Sequence, residues 1–209
     1  MKKIWWGVLS VLLLSVVCQW GWAQDTSKFN LAVGTGIALP IGEFADVYNL
    51  GFHIGGTFDV KVAKNILLFG DLRYSSFSAG TEGWGFPSNA TIKGGTFMPF
   101  SIFAGAKYIF LPPPSKINVY GCAGIGLCML STSDLTAHYI IHTTWYTADV
   151  TSTTQFKSET DFALLFGGGA VYQLSPKLGL YGEIRYVSIF SEGESTQFIP
   201  IILGVLIRL

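Results

Sequence analysis

From residue 29 onward the chain alternates bulky apolar residues with small or polar ones in eight separate stretches. A period of two is the signature of strands with two unlike faces. In 29–39, Phe29, Leu31, Val33, Ile37 and Leu39 share one phase, and Asn30, Ala32, Gly34, Gly36 and Ala38 the other. In 50–62, Phe52, Ile54, Phe58, Val60 and Val62 alternate with His53, Gly55, Thr57, Asp59 and Lys61. The stretch 66–77 sets Leu68, Leu72 and Tyr74 against Asp71, Arg73 and Ser75. In 96–110, Phe100, Ile102, Ala104, Ala106 and Tyr108 oppose Ser101, Gly105 and Lys107. The fifth, 117–130, has a small-residue face of Cys122, Gly124, Gly126 and Cys128. The sixth, 161–174, is the least clearly phased; we assign Phe162, Leu164, Phe166, Ala170 and Tyr172 to its bulky face. In 178–189, Leu180, Ile184 and Tyr186 oppose Glu183 and Arg185. The last, 197–209, stacks Ile199, Ile201, Leu203, Val205, Ile207 and Leu209 on one face.

The connections alternate as well. Short turns at 63–65, 111–116 and 175–177 separate longer segments at 40–49, 78–95, 131–160 and 190–196. Four long and three short links between eight strands are what a membrane barrel shows, with turns on the periplasmic side and loops outside. A soluble antiparallel sheet has no reason to follow that alternation.

Ahead of the first strand, Lys2 and Lys3 precede the apolar run 8–18, and Gly21-Trp22-Ala23 supplies small residues at the cleavage positions. This reads as a secretory signal peptide over 1–23, cut after Ala23, with the barrel domain over 24–209. No apolar stretch of about 18 residues recurs after Ala23, so no spanning helix is expected. A closed barrel is then the only remaining way to satisfy a backbone in lipid.

Periodicity alone does not say which face points inward. A soluble lipocalin-like ligand-binding barrel would turn the bulky phase in. Against it, the opposite phase is mostly Gly, Ala, Ser and Cys, a poor solvated surface. The bulky phase also carries more volume than a narrow interior should hold. Composition agrees: 12% of residues are charged, about half the usual share near 25% for soluble domains. The expected fold is therefore an all-β, eight-stranded antiparallel transmembrane β-barrel of up-and-down topology. Tyr74, Tyr108, Phe110, Tyr172, Tyr186 and Phe190 lie near strand ends, where interfacial aromatics belong.

With this phasing the lumen collects a polar network of Asp59, Lys61, Asp71, Arg73, Lys107, Glu183, Arg185 and Arg208. Buried charges need partners to offset desolvation, and an eight-stranded barrel is just wide enough for side chains to fill. The expectation is a plugged, non-conducting lumen. Lys+Arg and Asp+Glu are equal at 13 each, so no basic field argues for a nucleic-acid partner.

Pro40-Ile-Gly-Glu-Phe and Val47-Tyr-Asn-Leu-Gly51 follow the first strand, and Met98-Pro-Phe with Ala106-Lys-Tyr-Ile-Phe110 mark the fourth. Gly121-Cys-Ala-Gly-Ile-Gly126 lies on the fifth and Ile199-Pro-Ile-Ile-Leu-Gly204 on the eighth. In these segments the mature chain resembles the outer-membrane protein β-barrel family of OmpA/OmpX-like eight-stranded barrels. The resemblance implies the outer membrane of a Gram-negative bacterium, outer-membrane lipids as surroundings, and insertion by the barrel-assembly machinery. Members act as structural, adhesive or host-interacting proteins. The terminal Ile207-Arg208-Leu209 departs from the aromatic ending that the machinery usually reads. The eighth strand finishes the chain, which leaves no room for an appended peptidoglycan-binding domain.

Candidate chemistry is sparse, and no cofactor is expected. His138 and His142 would sit about 13 Å apart in an extended segment, too far to share a metal. The β-branched and aromatic content of 139–146 favours that extended form. Lipid A deacylases and acyltransferases use a His–Ser pair on small barrels, so an enzyme must be weighed. However, spacing pairs no serine with His53. Cys122 and Cys128 lie roughly 20 Å apart along one strand, beyond a disulfide. Gly121, Gly124, Gly126 and the run Gly167-Gly168-Gly169 are not followed by helices, so they read as space for neighbouring rings. The Ser/Thr-rich loop 131–160, with its aromatic islands, is the expected place for contact with an extracellular macromolecule. The functional expectation is a structural or surface-interaction protein that is not an enzyme, with a lipid-modifying enzyme as the alternative.

Overall fold

The computed structural model describes residues 28–80, 84, 90–110, 116–142, 147–191 and 194–209. The proposed signal peptide at 1–23 lies outside them. Eight strands close a barrel: β1 (Phe29–Ile41), β2 (Gly51–Ala63), β3 (Ile66–Ser76), β5 (Phe100–Ile109), β6 (Ile117–Leu130), β9 (Glu159–Gln173), β10 (Leu178–Ser191) and β11 (Glu194–Arg208). Three more, β4 (Thr91–Gly94), β7 (Leu135–His142) and β8 (Thr147–Thr154), stand outside the wall. Neighbours in the wall are consecutive barrel strands and antiparallel, and β1 pairs with β11 from Asn30↔Arg208 to Ile41↔Gln197. That last pairing removes both sheet edges, which hydrocarbon would otherwise leave unsatisfied.

The pleat sorts the two phases as the alternation requires. Val33, Ile54, Leu72, Ile125, Ile184 and Leu203 point out and are half exposed or more, Leu203 reaching 69%. Thr35, the polar residue in the outward phase of β1, donates its hydroxyl to the carbonyl of His53 at 2.7 Å. Its polar group is thereby satisfied without water. On β9 the outward set includes Phe162, Phe166 and Tyr172, which resolves the phase of that strand.

Aromatic pairs form two outer girdles. Phe29 stacks on Phe58 with centroids 5.7 Å apart, and Tyr108 meets Phe110 at 5.3 Å, both at the short-turn end. Phe52 with Tyr74 (6.3 Å) and Phe162 with Phe190 (6.2 Å) mark the loop end. Amphipathic rings at both interfaces are what a bilayer band requires.

Two features add detail at the loop end. A short helix, α1 (Glu43–Val47), follows Gly42, whose φ of 62° a side chain would resist. The long loop 131–160 is largely a hairpin, in which β7 pairs with β8. With β4 it forms a separate three-stranded sheet in the order β4-β7-β8 at the loop end. The run Thr151-Ser152-Thr153-Thr154 reads as a loop by composition, yet Leu135 and Ala137 are buried, and their packing carries the hairpin.

Proline interrupts one seam. Pro200, fully buried on β11, has no N–H to offer, and the β10–β11 pairing has a gap between Ile184↔Ile201 and Val187↔Phe198.

Leu203 sits near mid-height of β11, opposite Thr35 of β1. Leu203→Arg is expected to destabilise the protein by about 2–4 kcal/mol in a bilayer, the cost of a cation at the midplane. Reversible unfolding in urea from lipid vesicles measures it. A change within about 0.5 kcal/mol, typical of a solvated surface, would contradict a lipid-facing exterior.

Candidate functional site: the barrel lumen

The inward phase of the strands fills the barrel in layers. At mid-height lies a charged layer. Asp71 on β3 accepts a forked contact from Arg73 Nη2 at 2.8 and 2.9 Å, and from Arg185 Nη1 of β10 at 2.5 Å. Arg185 Nε also donates to Glu183, and Glu183 accepts from the Tyr120 hydroxyl at 2.5 Å. Lys107 pairs with Asp59 at 2.8 Å and lies over the rings of Tyr120 (5.2 Å) and Phe69 (5.5 Å). Three carboxylates therefore face three cations, all 5% exposed or less. That balance is what a site closed to water demands, because an unpaired ion there costs several kcal/mol.

The alternation of the strands builds this layer. Asp71 and Arg73 are two residues apart on β3, as are Glu183 and Arg185 on β10, so each pair shares the inward face. Barrel closure brings the two pairs together across the lumen.

His53 completes the layer as a neutral ring. Its Nε2 faces the carbonyl of Ile201 at 3.2 Å, and its Nδ1 faces Arg73 Nη1 at 3.3 Å. A carbonyl only accepts and a guanidinium only donates, so Nε2 carries the proton and Nδ1 accepts. His53 is fully buried, and no serine is among these partners.

Above the charges, towards the loops, the lumen is packed with rings. Phe44 of α1 meets Phe77 at 5.1 Å and Phe97 at 5.3 Å, and Phe77 meets Phe198 at 5.2 Å. Tyr48 lies over Phe97 at 5.4 Å, and burial there pushes its hydroxyl above the ordinary value. Phe103, Leu165 and Ile189 continue this apolar cap down to the charged layer. Phe69 lies against the Gly105–Gly124 pair, where a Cβ on either glycine would meet its Cζ at 2.7 or 3.0 Å. Below the charges, Val171, Tyr181, Ile202 and Leu206 form a second apolar collar.

The sequence-derived set divides between two places. Asp59, Asp71, Arg73, Lys107, Glu183 and Arg185 occupy the buried layer. Lys61 is in the inward phase of β2, but at the periplasmic mouth it is exposed and belongs to no buried pair. The correction has a simple cause: the barrel opens to water at that level, next to a register shift between Lys61 and Ala63. Arg208 is also at the mouth, half-buried, donating to Gln173 at 2.5 and 3.2 Å with the amide oxygen turned towards it. Sequence reasoning omitted Tyr120, Phe69 and the aromatic cap. For the two strand residues the signal was available, since Phe69 shares the phase of Asp71 and Tyr120 that of Cys122.

Elsewhere the chemistry is thin. His138 pairs with Asp149 at 2.7 Å on the exposed face of the β7–β8 hairpin, while the His142 side chain lies outside the described residues. Among the described residues no cluster of His, Cys, Asp or Glu could hold a metal ion. Cys122 and Cys128 are buried free thiols; Cys128 donates to Ser101 at 3.1 Å.

Asp71→Ala leaves two guanidinium groups facing each other without their shared carboxylate, a loss of about 3–5 kcal/mol for a buried pair broken on one side. Urea unfolding in detergent micelles measures it. A change below about 1 kcal/mol, the usual worth of a surface pair, would show that the layer is wet.

The family model described as outer membrane protein beta-barrel domain matches residues 9–206. Among solved structures, Neisserial surface protein A is 18% identical with a TM-score of 0.56, over 89% of this chain and 100% of that one. OprG from Pseudomonas aeruginosa is 11% identical with a TM-score of 0.55, over 87% and 95%. A major outer membrane protein from Thermus thermophilus is 12% identical with a TM-score of 0.53, over 87% and 99%. A search of the curated proteins found no match. Family match, closed wall and lipid-facing exterior agree: the chain belongs to the outer membrane protein beta-barrel domain family of the bacterial outer membrane.

Proposed function

We propose that this protein is a sealed outer-membrane barrel that serves as a rigid base for its extracellular loops, in a structural or surface-interaction role. The observation that carries the reading is the filled lumen. A neutralised ionic layer at mid-height and an aromatic cap above it occupy the cross-section that a conducting path would need. In this reading export follows the N-terminal signal, and insertion uses the barrel-assembly machinery and outer-membrane lipids.

The β4-β7-β8 sheet is the natural contact surface. Its outermost strand is β8, Thr147–Thr154, at the end of the sheet order β4-β7-β8. Its Ser and Thr side chains offer hydrogen bonds without a strong charge. An extracellular macromolecule is the partner class this suits, with the barrel fixing the sheet in place. The alternative, a lipid-modifying enzyme, finds no support at His53. The ring is sealed in the lumen, both nitrogens are engaged, and acyl chains lie on the other side of the wall.

In planar bilayers the wild-type protein is expected to give no stable ohmic conductance. A steady porin-like conductance would reject the sealed lumen. Replacing 135–154 by a short Gly/Ser link should leave heat-modifiable gel mobility intact while abolishing attachment of intact cells to host-surface material. Unchanged attachment would remove the hairpin from the role.

A further inference from the structure

The short-turn end of the barrel opens into a cavity that the sealed lumen does not explain. It has a volume of about 380 Å³ and is walled by the periplasmic ends of all eight barrel strands. Its ionisable side chains are lopsided: Lys28, Lys61, Lys64, Lys107 and Arg208 against the single carboxylate of Asp59. Lys107 already neutralises Asp59 at 2.8 Å. Lys28, Lys61 and Lys64 remain as excess positive charge, with Arg208 beside them. Among the described residues no side-chain carboxylate lies within ion-pair distance of these three lysines.

The imbalance belongs to this end of the molecule. At the loop end Glu43, Asp46, Asp134, Asp149, Glu159 and Asp161 outnumber Lys93 and Lys157. At the turn end Lys116 and Lys177 add to the cations, and no described Asp or Glu sits on the rim. The cavity wall also holds polar groups suited to a ligand. Tyr181 contributes its ring to the inner wall, its hydroxyl turned against Gly34. Asn30 and Asn118 line the same wall.

A concave site of this volume falls in the small-ligand range of about 300–1,000 Å³. Convergent ammonium and guanidinium groups favour a compact oxyanion, because charge-assisted hydrogen bonds are the strong ones. We propose that this periplasmic vestibule binds a phosphate-bearing group. Two sources share that chemistry: the headgroup of an anionic phospholipid in the inner leaflet, and a free phosphate ester in the periplasm. Lys61 and Lys64 stand at the mouth, where either can arrive. Arg208 stands at the same mouth, and Asn30 and Asn118 line the wall beside it, where a captured oxyanion is held.

The full mature protein in phosphatidylcholine nanodiscs, followed by amide chemical shifts, tests the site. One arm titrates glycerol 3-phosphate, with glycerol as the uncharged control; the other replaces part of the lipid by phosphatidylglycerol. Saturable shifts confined to residues 28–32, 61–64, 107–109 and 206–208 are expected in at least one arm. The arm that responds names the source. Lys61→Gln with Lys64→Gln should weaken that response by about tenfold or more, the equivalent of one charge-assisted contact. Lys93→Gln with Lys157→Gln at the loop end should leave it unchanged. Both double variants keep the buried layer intact, and an unchanged remainder of the spectrum reports folding. The proposal is overturned by the absence of saturable shifts in both arms, by equal shifts around Lys93 and Lys157, or by wild-type response in the Lys61/Lys64 variant.

Discussion

Hydrocarbon offers no hydrogen bonds, so every backbone N–H and C=O inside it must find a partner within the protein. Here the ladder between β1 and β11 completes that requirement, and the other properties of the molecule follow from it. Closure fixes the number of strands and hence a narrow interior. The pleat then leaves each strand one face for acyl chains and one for the lumen. The outer face becomes a continuous apolar band between two girdles of rings, and the inner face has to be filled.

How it is filled reflects the cost of isolating charge. Apolar side chains alone would leave no difficulty, but β3 and β10 bring a carboxylate and a guanidinium each, while β2 and β5 bring a carboxylate and an ammonium. Neutrality within one layer, with Tyr120, His53 and Thr57 supplying further hydrogen bonds, makes the ions tolerable. A layer of this kind ties strands that are far apart in sequence, Asp71 to Arg185 for example. It specifies which side chains meet more narrowly than packed aliphatics would. Below it, where water returns, the balance is no longer required, and lysines accumulate.

Much of the wall was legible in the sequence because lipid rewards a strict period of two. The phases of 117–130, 178–189 and 197–209 can be read by counting alternate residues. The long-and-short rhythm of the connections carries the topology. The extended hairpin within 131–160 was foreshadowed by its apolar and aromatic islands, but its bounds and its pairing with β4 were hidden, since Ser- and Thr-rich strands look like loops until their buried neighbours Leu135 and Ala137 are seen. The aromatic cap was hidden for another reason: Phe44, Phe77, Phe97 and Phe198 come from four separate segments and meet only through tertiary packing. Lys61 shows the remaining limit. Phase states which way a side chain points, but not the height at which the barrel stops excluding water.

Pro200 carries a mechanical consequence. A strand that cannot donate towards β10 at that point leaves a stretch of the wall fastened on one side only, since its pairing with β1 through Ala38 is unbroken. Arg185, directly across the gap, is held instead by Asp71 and Glu183 from within. The wall thus lacks part of its β10–β11 ladder beside a side chain that is bonded across the lumen. Where the ladder to β11 is incomplete, β10 is anchored through the lumen to β3 on the far side of the barrel.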